Sequence, residues 1–146
     1  MRYMLTLAIN AEIQVLIAQA RGAIAPLVTL VQSGTARQKE YAAGALQNLA
    51  GNAKNMVLIA QAGAIAPLVA MVQSGTDGQK EYAAFALRHL TGNAKNQVLI
   101  AQAGAIAPLV ALVQSGTAGQ KEHAAAALWS LAANAEYKVL IAQAGG

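Results

Sequence analysis

One hexapeptide constrains this chain more than anything else in it. Ala-Ile-Ala-Pro-Leu-Val occurs at residues 23–28, 64–69 and 105–110, at an offset of 41 each time. The flanking sequence is as regular: 23–63 and 64–104 agree at 32 of 41 positions, and 64–104 and 105–145 at 30 of 41. Residues 3–20 match 45–62 at an offset of 42, with Arg21 as the extra residue. A fixed period of this length marks a stacked array in which each unit buries its apolar faces against its neighbours. The chain divides into a partial unit at 1–22 (the end of a third helix plus a first helix) and units at 23–63, 64–104 and 105–146, the last ending without a cap.

Inside a unit the apolar spacing is helical. Ile65, Leu68, Val69 and Val72 fall at i, i+3, i+4 and i+7, and Ala83, Ala86, Leu87 and Leu90 repeat the pattern on a longer segment. Ser74-Gly75-Thr76 separates the two, and Thr35, Thr76 and Thr117 each have a glutamine three residues on, the spacing of a capping box. Another, shorter helix begins after Asn93 and ends near Gly104, and Pro67 suits the first turn of its helix, where no N–H is missed. Three helices in a unit of this length exceed the tetratricopeptide and ankyrin repeats, and alanine-rich segments with few aromatics do not suit the strands of a propeller blade. The fold class is therefore an all-α solenoid.

Two uncharged runs, 55–76 and 96–120, are long enough to cross a bilayer, but Gly63 and Pro67 interrupt the first and Gly104 and Pro108 the second. A pair of short helices accounts for those breaks, and no membrane partner is expected. The absence of cysteine removes disulfides and thiolate metal sites and suits a cytoplasmic or nuclear location. His89 and His123 occupy different places in their units, without companions at metal-ligand spacing. Glu40, Glu81 and Glu122 are equivalent, hence roughly 10 Å apart along stacked helices rather than converged on one bond. Each reads as a solvated residue in the first turn of its own helix. No cofactor, metal or catalytic residue is expected, and the chain is not read as an enzyme.

At this point the residues resemble a known family. Leu-Ile-Ala-Gln-Ala-Gly-Ala-Ile-Ala-Pro-Leu-Val, beginning at Leu58 and Leu99, is similar to the armadillo signature where the first helix meets the second. Ala-Leu-Gln-Asn-Leu-Ala at 45–50 is similar to the end of the armadillo third helix. The likeness covers nearly the whole chain and is nearer to the regular arrays of plant and vacuole-associated proteins than to importin-α, with the uniformity of a designed or consensus-like fragment. It implies a right-handed superhelix of three-helix units and a peptide-binding surface. Of the family's ladder of peptide-binding asparagines only Asn48 is present; Thr6, His89 and Ser130 stand at the equivalent positions, and Gly44, Phe85 and Ala126 replace the groove tryptophan.

Variation among the units concentrates on the third helix. Gly44, Phe85 and Ala126 are equivalent, as are Gln47, Arg88 and Trp129, and Asn48, His89 and Ser130. This stripe lies about 200° from the core stripe at about 100° per residue, and so points away from the unit's own core. Phe85 and Trp129 are the sole Phe and Trp of the chain, and with Arg88 they are the types enriched in binding hot spots. The expected site is therefore Gln47, Asn48, Phe85, Arg88, His89, Trp129 and Ser130, lining a concave groove that takes an extended peptide. Asn48 and His89 would hydrogen-bond its backbone, and nothing in the core would need Phe85, Arg88 or Trp129. Nucleic acid is the lowest-ranked partner: the net charge is +4 and the pI near 9.6, but the basic residues form no run.

The alternative function is self-association. Met4, Leu5, Leu7 and Ile13 at one end, and Leu128, Leu131, Val139, Leu140 and Ile141 at the other, are apolar residues without a polar capping repeat. A two-fold homo-oligomer through the ends is expected. Light scattering across a dilution series checks this, and a strict monomer at about 100 µM rules it out.

Overall fold

The computed structural model describes residues 22–145, which form nine helices and, among the described residues, no strand. They are α1 Ile24–Ser33, α2 Ala36–Leu49, α3 Ala53–Gln61, α4 Ile65–Ser74, α5 Asp77–Leu90, α6 Ala94–Gln102, α7 Ile106–Ser115, α8 Ala118–Leu131 and α9 Ala135–Gly145. The partial unit at 1–22, with Thr6 and the apolar residues Met4, Leu5, Leu7 and Ile13, lies outside the described residues except for Gly22. The chain is an all-α solenoid. The long helices α2, α5 and α8 stack on one another and form the most extensive packing between units; α1, α4 and α7 make a second layer against them, and α3 packs on α6.

The breaks expected from Gly and Pro are where the chain turns. Gly63 and Gly104 adopt φ +84° and +82°, a left-handed conformation in which a side chain is strained. Around Gly63 the N–H of Ala64 reaches back to the carbonyl of Ile59, closing the end of α3. The following helix leaves at 86° for α3 and α4, and at 85° for α6 and α7. No single helix among the described residues is long and apolar enough to cross a membrane, and the two bent pairs coincide with the two uncharged runs.

The core stripes are those read from the periodicity. Leu68, Leu87, Leu90, Leu109 and Leu131 are completely buried, and Val69, Val72, Leu46 and Leu128 join them. Ala42, Ala43, Ala83, Ala84, Ala86, Ala124 and Ala127 are also buried, so the long helices meet through methyl groups rather than large side chains. That is why an alanine-rich sequence with little aromatic content still forms a continuous core. Leu128 and Leu131, expected to lie uncovered at one end, are buried, because their own unit's helices already enclose them. The exposed apolar residues there are Val139 and Leu140.

All three capping boxes form. The hydroxyls of Thr35, Thr76 and Thr117 accept from the N–H of Gln38, Gln79 and Gln120, whose Oε1 atoms accept from the threonine N–H in return. Two of these glutamines do more. Gln79 Nε2 donates to the carbonyl of Ala36 at 2.8 Å, and Gln120 Nε2 to that of Asp77 at 2.9 Å, in each case the first residue of the preceding unit's long helix. Local capping and the joint between units thus share one buried amide. Gln120→Ala removes a cap bond and an inter-unit bond together and should lower stability by about 1–3 kcal/mol, read from the denaturant midpoint.

Candidate functional site

The third helices α2, α5 and α8 carry every residue of the expected site, and because they stack in register, equivalent positions fall side by side. The structure divides those residues into two groups. Trp129 is 81% exposed, and Asn48 is exposed with Gln47 and Ser130 half-buried. Phe85, Arg88 and His89 instead belong to a cluster that joins α5 to α8.

In that cluster the Phe85 ring stacks on His123 at 3.9 Å between centroids and 14° between planes, and on His89 at 4.9 Å and 21°. The Arg88 guanidinium carbon lies 5.8 Å from the Phe85 centroid, near the outer limit of cation–π attraction. Arg88 Nη1 is 3.2 Å from Nδ1 of His123. A guanidinium has only donors, so His123 Nδ1 is the acceptor and carries no proton. The same Nη1 lies 3.8 Å from a Glu122 carboxylate, an exposed pair that water largely screens. Burial first, and then the positive charge of Arg88, hold both His89 and His123 below the usual histidine pKa.

The expectation that nothing in the folded core needs Phe85, Arg88 or Trp129 therefore fails for Phe85 and Arg88. Phe85 and Arg88 point away from the core of their own unit, as their helical phase requires, but that direction leads to the next unit's third helix. His123 was missed as a partner because it stands where the earlier units have Tyr41 and Tyr82, three residues ahead of the variable stripe. The signal was available: the Tyr-to-His change and the Gly-to-Phe change fall on facing sides of neighbouring units. At the preceding junction the Tyr82 ring covers Gly44, with ring carbons 3.6 Å from where a Cβ would stand.

The equivalent glutamates also differ from their reading as solvated residues of their own helices. The Glu40 carboxylate lies against Gly78 in the first turn of α5, and a Cβ there would overlap it. A Cβ on Gly119, in the first turn of α8, would stand 2.7 Å from Oε1 of Glu81. Each carboxylate thus meets the positive end of the next unit's helix dipole, and glycine supplies the room. Glu122 remains largely exposed. Among the described residues no group of three or more His, Asp or Glu side chains is placed to hold a metal ion.

Trp129→Ala should change stability by less than about 0.5 kcal/mol, as at an exposed position, whereas Phe85→Ala should cost about 1–3 kcal/mol through lost stacking and burial. Urea titrations of the two variants compare them directly.

The family model of the armadillo/beta-catenin-like repeat matches residues 13–51 and 93–133, more than half of the chain. No curated protein matches the sequence significantly. Among solved structures, the designed armadillo repeat protein YIII(Dq.V1)4CPAF in complex with the peptide (KR)4 is 25% identical with a TM-score of 0.87, covering 99% of this chain and 62% of that one. A computationally designed armadillo repeat protein for modular peptide recognition is 29% identical with a TM-score of 0.87, covering 93% and 58%. An engineered protein from the Northeast Structural Genomics Consortium is 29% identical with a TM-score of 0.88, covering 99% and 60%. This chain thus spans about three-fifths of the length of those structures. With the repeat period, three helices to the unit and the matching family model together, the chain belongs to the armadillo/beta-catenin-like repeat family.

Proposed function

We propose that this chain is a binding scaffold without catalytic activity, taking an extended peptide along the concave face formed by α2, α5 and α8. The observation that carries the reading is Trp129, an indole 81% exposed on the same helix stripe as Asn48. Large apolar rings left in water are characteristic of contact surfaces, and tryptophan heads the list of hot-spot residues. Designed relatives of the same fold are described as peptide binders, one of them with (KR)4.

The chemistry of the face favours basic side chains in the peptide. Tyr41 is exposed and the Glu122 side chain is 74% exposed, and with Trp129 they offer carboxylate and aromatic partners for lysine and arginine. Arg88 is the opposing charge, and it is already engaged by His123 and Glu122. Asn48 and His89 add groups able to hydrogen-bond a peptide backbone, with Gln47 and Ser130 beside them. The same carboxylate disfavours a nucleic-acid backbone on this face.

Self-association is the second reading. Val139 and Leu140 are exposed, and Ile141 is half-buried where the equivalent Ile59 and Ile100 are completely buried.

A panel of alternating Lys-Arg, acidic and neutral peptides at about 0.15 M salt separates the classes. Basic peptides should bind best, and Trp129→Ala should weaken binding about 30-fold or more, the size of a hot-spot loss. Equal binding by the variant and the parent chain overturns the assignment of this face.

A further inference from the structure

The α5–α8 junction contains an arrangement that depends on a neutral histidine. His123 is 7% exposed, stacks on Phe85 at 3.9 Å, and accepts at Nδ1 from Arg88 at 3.2 Å. Adding a proton to Nδ1 turns the acceptor into a donor facing a donor, and places a positive charge on a buried ring beside a guanidinium. The ring cannot keep both the stack and the bond once it is charged.

We propose that protonation of His123 loosens the junction between α5 and α8, making this one joint of the solenoid acid-sensitive. The groups facing His123 are Arg88 on α5, which opposes its charge, Glu122 on its own helix and Glu81 on α5, which favour it, and His89 on α5, whose own protonation a charged His123 disfavours. Both carboxylates are partly engaged elsewhere, Glu81 against Gly119 and Glu122 at the exposed surface. The other helices packed on α8 add little: α7 has no titratable residue, and Glu136, Tyr137 and Lys138 of α9 are not among the groups acting on the ring. The preceding junction offers a contrast within the same chain. There Tyr82 covers Gly44, and a tyrosine takes the place that His123 holds at the α5–α8 joint.

The direction of the pH effect follows from linkage. The folded pKa of His123 lies below its ordinary value of 6.5, so at pH values under 6.5 the unfolded chain binds the proton first. Stability from this group is complete above that value and is lost as pH falls through the folded pKa. Each unit of separation raises the unfolding constant about tenfold once both states are protonated.

Denaturant unfolding at pH 7.5 and pH 5.0 of the parent chain and of His123→Asn tests the proposal, since the asparagine carbonyl can still accept from Arg88 but cannot titrate. The parent chain should lose stability between the two pH values by a larger factor than the variant. An equal loss in both overturns the proposal. Should the variant fail to fold, the NMR titration of His123 in the parent chain decides: a midpoint below that of an unfolded histidine supports the proposal, and one at or above it overturns it.

Discussion

The solenoid depends on one amide used from both ends. Oε1 of Gln79 and of Gln120 closes the cap of its own helix, while Nε2 reaches the first residue of the preceding unit's long helix at 2.8 Å and 2.9 Å. Both side chains are buried, so a break in either bond leaves a polar atom without water to replace the partner. Hydrophobic contact alone would permit the smooth alanine-lined helices to slide past one another, because methyl groups interdigitate in many registers. A directional bond between position three of one helix and position one of its neighbour permits a single register. Specificity of stacking therefore comes from a polar pair, and most of the burial from alanine and leucine.

Fixed register is what makes a surface of the third helices. Once α2, α5 and α8 are locked at equivalent positions, residues one period apart become neighbours, and a change in one unit is a change at one place along a continuous face. The glutamates show the effect. Glu40 and Glu81 are invariant in the repeat, yet each acts on the following unit, resting where Gly78 and Gly119 open the first turn of the next helix. Their charge complements that helix dipole, while Glu122 and Tyr41 keep their polar groups for solvent.

Much of this was legible in the sequence. The repeat period, the glycines at 63 and 104 and the threonine–glutamine boxes located the helices, and the helical periodicity of Leu68, Leu87 and Leu90 located the core. The division of the variable stripe was not legible, for a geometric reason. Helical phase tells which way a side chain points from its own core, but in a stacked array two directions lead away from that core. One leads to solvent, as at the exposed Asn48, and the other to the neighbouring unit, as at Phe85. Deciding between them needs the lateral offset of adjacent helices, which no single unit encodes. The inter-unit use of Gln79 and Gln120 was hidden likewise, since a complete local capping box already explained each glutamine.

The two described junctions point to a rule for how such units tolerate variation. At one, a glycine at 44 faces a tyrosine at 82; at the other, a phenylalanine at 85 faces a histidine at 123. The changes compensate. A benzyl group at 44 would grow directly toward the Tyr82 ring, which is already in van der Waals contact with the space a Cβ would take. Where that benzyl group is present, the facing position holds a smaller imidazole in place of the phenol, and it stacks almost parallel, at 14°. Variation at 44 and 85 is thus coupled to variation at 82 and 123, in pairs that straddle neighbouring units.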